Sequence, residues 1–141
     1  MKNITIIPHL AFKGNCEEAI QAYIEAFGGE ICYMSRWLEA TFDVTREQIG
    51  KVMHAEFALG STRMAASDSF DGTGVNTDIK LMIHMDDMAD AKHAVSILAQ
   101  GGTVVSPLKP HPAPGDGGCG SVTRDRFGYT WIITCPNPDK Q

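Results

Sequence analysis

Ala26-Phe27-Gly28-Gly29-Glu30-Ile31-Cys32-Tyr33 closes one element and opens another. Upstream, Ala19, Ile20, Tyr23, Ala26 and Phe27 recur at helical spacing, Asn15 stands as an N-cap, and Glu17 and Glu18 fill the first turn, where the helix dipole favours carboxylates. The glycine pair ends that helix, and the residues after it read as a strand reaching about residue 37. A second pair, Gly101-Gly102, lies 73 positions on (28 to 101), follows a helical run over 88–100 and precedes strand-forming Thr103-Val104-Val105. The same order around both pairs predicts an internal repeat of the βαβββ kind.

Working outward, residues 4–12 read as the first strand and 38–51 as an excursion without a clear period. Val52-Met53-His54-Ala55-Glu56-Phe57-Ala58-Leu59 alternates as a strand, Gly60-Ser61 turns, and 63–67 pairs back as a hairpin. Asp71-Gly72-Thr73-Gly74-Val75-Asn76 is the internal boundary. Beyond it come a strand over 79–85, the second helix, a Pro/Gly-rich loop over 107–120, a short strand over 121–124, a turn at Asp125-Arg126-Phe127-Gly128 and a last strand over 129–135. The expected fold class is α+β: two βαβββ modules, about 2–70 and about 77–136, forming a curved mixed sheet with a concave site and helices outside, within one domain spanning 1–141.

The 141 residues suit a single domain with a real core, and 43% hydrophobic against 21% charged residues is an ordinary globular balance. A net charge of −5 without a Lys/Arg cluster argues against nucleic acid and against a membrane surface as partners. Cys16, Cys32, Cys119 and Cys135 form no C-x-x-C pair and read as free thiols of a reducing compartment. No stretch approaches the ~18 apolar residues of a membrane span, and the start of the chain, broken by Pro8, does not read as a signal peptide. A cytoplasmic protein is expected.

Strand alternation places Met53, Ala55, Phe57 and Leu59 on one face of their strand and His54 and Glu56 on the other. An imidazole beside a carboxylate is a general acid/base pair, the carboxylate raising the proton affinity of the ring. The competing reading is a solvated pair on the wet face of an antiparallel sheet.

Several stretches taken together resemble one family: Pro8-His9-Leu10-Ala11-Phe12-Lys13-Gly14-Asn15-Cys16-Glu17-Glu18-Ala19-Ile20 with Ala26-Phe27-Gly28-Gly29-Glu30, then His54-Ala55-Glu56, Ser67-Asp68, and Thr123-Arg124-Asp125-Arg126-Phe127-Gly128-Tyr129-Thr130-Trp131. They are similar to the PhnB-like branch of the glyoxalase/bleomycin-resistance/dioxygenase superfamily, the vicinal oxygen chelate proteins, over nearly the whole chain. The resemblance implies paired βαβββ modules, commonly a homodimer, and in metal-dependent members four His or Glu ligands. Those ligand positions fall here near Pro8 or His9, near residues 64–66, near Lys80 or Leu81, and near Ile132, and three of the four lack a ligand-type side chain. Some members of the branch carry a demethylubiquinone methyltransferase label. The Gly-rich loop and following acidic residue usual for an S-adenosylmethionine site are not visible in this sequence.

If each strand turns its more apolar phase toward a helix, His9, His54, Glu56, Lys80 and His84 face the concavity. His54 and Glu56 are the catalytic candidates; His9, His84, Lys80 and Trp37 are the ligand-binding ones. Were a divalent metal held, His9, His54, Glu56 and His84 would hold it. Residues 109–118 depart from the resemblance, with prolines and glycines where relatives often have a Trp. Two function classes follow: an enzyme acting on a small oxygenated metabolite, or a module that sequesters a small molecule as bleomycin-resistance proteins do.

Overall fold

The computed structural model describes residues 2–38, 44–71, 76 and 78–140. Two compact units divide the chain, Met1–Gly74 and Val75–Gln141. The expected boundary stretch falls largely outside the described residues, as do residues 39–43 of the excursion.

In the first unit the order is β1 (His9–Phe12), α1 (Cys16–Phe27), β2 (Gly29–Arg36), β3 (Val52–Leu59) and β4 (Thr62–Asp68). The second runs β5 (Lys80–His84), α2 (Met88–Leu98), β6 (Thr103–Pro110), β7 (Cys119–Arg124) and β8 (Thr130–Cys135). Each unit is a βαβββ module around one mixed four-stranded sheet, ordered β1-β4-β3-β2 in the first and β5-β8-β7-β6 in the second. β1 runs parallel to β4 and β5 parallel to β8; the other pairings are antiparallel. This is the α+β architecture of two βαβββ modules that the repeat predicts.

The glycine pairs work in the same way in both modules. Gly28 and Gly101 take positive φ, 78° and 69°, beyond the helix ends, a conformation that costs a residue with a Cβ. Gly29 and Gly102 serve clearance instead: a Cβ on Gly29 would overlap the Ala58 carbonyl, and one on Gly102 the Arg124 carbonyl.

α1 buries Cys16, Ala19, Ile20, Tyr23 and Ala26 against its sheet, and α2 buries Ala91, Ala94, Ile97 and Leu98. Trp131 and Ile133 of β8 are fully buried, as their phase requires. The opposite face of each sheet carries the chemistry-bearing side chains.

Four sequence expectations need correction. The first ladder starts at His9 rather than residue 4, because Pro8 has no N–H to donate and contributes only its carbonyl, to Ala65 N at 2.9 Å; Ile4 and Ile6 upstream are exposed. Met53 does not share the buried face. The β2–β3 register slips between Ser35/His54 and Arg36/Val52, so Met53 is an extra residue and Val52 is buried in its place. The prolines of 107–110 do not open a loop: β6 extends to Pro110, which an edge strand tolerates. Asn15 makes no side-chain cap. The α1 terminus is held by Asp68, whose Oδ1 accepts from Gly14 N at 2.7 Å and Cys16 N at 3.0 Å.

Candidate functional site

On β3 the side chains of His54 and Glu56 stand on the face away from α1, and the β3–β4 register places Ala65 opposite Glu56 and Arg63 opposite Ala58. His54 Nε2 lies 3.4 Å from Glu56 Oε2, while the other carboxylate oxygen takes a bond from Arg63 Nη2. Glu56 is thus shared between an imidazole and a guanidinium, which suits it to orient His54. With Nε2 turned to the carboxylate, Nδ1 is the nitrogen left to meet a ligand.

β1 brings the second imidazole to the same face. His9 Nε2 lies 3.3 Å from Ser67 Oγ, and the His9 and His54 rings stack with centroids 6.4 Å apart and planes 15° off parallel. Tyr33 of β2 completes the row, its ring 6.2 Å from that of His54. Burial, with the repulsion of a nearby protonated His54 behind it, holds the His9 pKa below the ordinary imidazole value. His9 therefore gives up its proton more readily in the folded protein than in the unfolded chain. Its contribution to stability is complete above about pH 6.5, the unfolded value, and is lost as pH falls through the lower folded value. In an NMR titration the His9 ring should titrate below that unfolded value, and His54→Ala should move it partway back up, because burial persists when the repulsion is removed. A His9 midpoint unchanged in that variant would refute the coupling.

Trp37, just beyond β2, is fixed through its backbone to Lys51 and Gly50 and lines a cavity of about 450 Å³ with Met53, Ser67 and Phe70. Lys80 and His84 belong to the second unit; both are exposed on β5, and His84 Nδ1 lies 3.0 Å from Thr134 Oγ1.

Arg63 and Ser67 were missed in the sequence, although the hairpin turn at Gly60-Ser61 fixes the register that sets Arg63 on the Glu56 face. Cys16, the buried first residue of α1, is held as the thiol: burial, then the carboxylates of Asp68 and Glu17, push its pKa up to about 12.

Among the described residues no three His, Cys, Asp or Glu side chains come together to hold a metal ion. Glu56 already spends its charge on Arg63 and His54.

A family model described as 3-demethylubiquinone-9 3-methyltransferase matches residues 4–134. The chain belongs to that family. Among solved structures, a PhnB protein from Bacillus cereus, described as a putative 3-demethylubiquinone-9 3-methyltransferase, is 25% identical with a TM-score of 0.79, over 94% of this chain and 99% of its own. Protein PA1353 from Pseudomonas aeruginosa is 28% identical, with a TM-score of 0.78 over 95% of this chain and 98% of that one. A glyoxylase/bleomycin resistance protein/dioxygenase domain from Frankia sp. EAN1pec shares the fold at 13% identity, with a TM-score of 0.66 over 97% and 100% of the two chains. None of the curated proteins matches. The Bacillus cereus and Pseudomonas aeruginosa structures are spanned almost end to end, and the Frankia domain shares the fold.

Proposed function

We propose that the open face of the first sheet binds a small oxygenated metabolite and that His54, oriented by Glu56, serves there as acid/base, with His9 as the second polar anchor and Trp37 as a wall. The observation that carries this reading is the stacked His9–His54 pair beside Glu56 and Arg63, four chemistry-bearing side chains of one unit on one sheet face. Partial burial of the exposed His9 ring, 6.4 Å from that of His54, favours its neutral form, ready to accept a proton or a hydrogen bond.

The methyltransferase label of the family is not extended to this chain. Mixed four-stranded sheets offer no doubly wound parallel sheet with a Gly-rich first turn, the usual cradle for a nucleoside cofactor. The alternative is binding without turnover, supported by the competition of Arg63 for the Glu56 carboxylate. A homodimer, a single functional domain over 1–141 and a cytoplasmic location belong to this proposal too; no helix among the described residues is long and apolar enough to cross a membrane.

The test is an NMR screen of the full chain with 2-oxo acids, 2-hydroxy acids and vicinal diols. Shifts should converge on His9, Tyr33 and His54, and affinity should fall at least tenfold in His54→Ala with the fold intact. Product analysis of the bound compounds then separates enzyme from binder. Shifts confined to residues away from this face would overturn the site.

A further inference from the structure

Three sulfur-bearing side chains of the second unit meet at one end of its sheet. Cys119 opens β7, Cys135 closes β8, and the register sets them directly opposite one another. Registered residues of an antiparallel pair point to the same side, here the buried side that Cys135 shares with Trp131 and Ile133 and on which α2 packs. α2 begins at this point. Met88, its first residue and half-buried, brings its Sδ to 3.8 Å from Cys135 Sγ. The two thiols also sense each other: burial raises the Cys135 pKa most, and the charge of Cys119 comes next, ahead of Asp87.

The hydrogen-bond phase of the β7–β8 hairpin decides what this pair can do. At the turn the Asp125 N–H donates to the Tyr129 carbonyl at 2.8 Å, and the ladder then runs without a slip to Cys119 and Cys135. Hydrogen-bonded pairs alternate with the others, so steps of two from 125/129 make 119/135 a hydrogen-bonded pair. The Cβ atoms of such a pair stand about 5.5 Å apart, wider than the ~3.5–4.5 Å of a disulfide, so joining the sulfurs directly requires the strands to move. An ion between the sulfurs requires the wider spacing. Two sulfurs each about 2.3 Å from one ion, at a tetrahedral angle, are about 3.8 Å apart, which is the separation found between Cys135 Sγ and Met88 Sδ.

We propose that Cys119, Cys135 and Met88 form a site for a soft monovalent cation, Cu(I), held by two thiolates and one thioether. On binding, each thiol releases its proton to solvent and a sulfur electron pair bonds to copper; the ion keeps its oxidation state and no co-reactant is consumed. Thiolate and thioether donors select Cu(I) over harder ions. Zn(II) calls for four thiolate, imidazole or carboxylate ligands in a closed site, and among the described residues no three such side chains converge. Met88 is the most exposed of the three and gives the ion its way in past the two buried thiols. The site uses no residue of the first sheet, so it stands or falls apart from the reading of His9 and His54.

The test is a titration of the reduced full-length chain with Cu(I) under anaerobic conditions, in competition with a chromogenic Cu(I) chelator. One ion should bind per chain, with an ultraviolet thiolate-to-copper band, and the Met88 methyl should shift in NMR over the same equivalent. Cys119→Ser and Cys135→Ser should each weaken binding about a hundredfold or more, and Met88→Leu, which conserves volume, about fivefold or more. Cys16→Ala and Cys32→Ser should leave the affinity unchanged, and Zn(II) in hundredfold excess should not displace the copper. If the serine variants do not fold, Met88→Leu and the wild-type Met88 methyl carry the test. Wild-type affinity in any of the three ligand variants, an unmoved Met88 methyl, loss of binding in Cys32→Ser, or displacement by Zn(II) would each overturn the assignment.

Discussion

Replacing Asp68 by alanine should lower the melting temperature by roughly 10–15 °C, the equivalent of about 3–5 kcal/mol. The carboxylate is buried and accepts three backbone N–H groups: Gly14 at 2.7 Å and Cys16 at 3.0 Å through Oδ1, and Val52 at 2.8 Å through Oδ2. Two of these donors belong to the turn into α1, whose first helical N–H groups have no partner within the helix. The third begins β3. Alanine leaves all three without an acceptor, at about 1–3 kcal/mol for each buried group before relaxation. Asp68→Asn keeps one oxygen but turns an NH2 toward a donor, so it should fall between wild type and alanine. Thermal unfolding followed by circular dichroism measures the series, and a loss below about 1 kcal/mol for alanine would show that water replaces the carboxylate without strain.

The second large effect is expected at Asp125. Its Oδ1 accepts from Phe127 N at 2.9 Å and Tyr129 N at 3.0 Å, and its Oδ2 from the Trp131 indole at 2.8 Å. Both residues are buried, so Asp125→Ala should cost about 3–5 kcal/mol. Trp131→Phe should cost about 3 kcal/mol, from the indole volume lost and the carboxylate oxygen left without its donor. The double variant should be less destabilised than the sum of the two, because the shared bond is removed only once. Strict additivity, measured by denaturant unfolding, would mean that the indole bond carries no net stability.

These two aspartates mark where sequence reading stops. The partners of Asp68 lie 52 and 54 residues away at one oxygen and 16 at the other, so no local pattern announces them, and Asn15, the better cap by spacing, goes unused. Asp125 between Arg124 and Arg126 reads as a local charge pair, and nothing local announces that its carboxylate also accepts from a turn and from an indole, or that Arg126 lies 4.4 Å over the Phe127 ring. What was legible was periodic. The alternation of β3 placed His54 and Glu56 on the open face, and failed only at Met53, where the sheet inserts a residue. The glycine pairs and the helical spacing of Ala19, Ile20, Tyr23 and Ala26 yielded both modules. The candidate site was half legible: His9 and His54 were in phase, whereas Arg63 and Ser67 required the pairing of β4 with its neighbours.

The glycine pairs also bear on how the two halves can change with time. What the halves hold in common at residues 28–29 and 101–102 is room for a backbone, a demand that says nothing about reactivity. His9 beside Ser67 and His84 beside Thr134 repeat a motif of imidazole against hydroxyl, but around the first stand Glu56 and Arg63 and around the second Met82 and Ile132. A duplicated scaffold held by steric clearance leaves the side chains of its open faces free to diverge without loss of the fold.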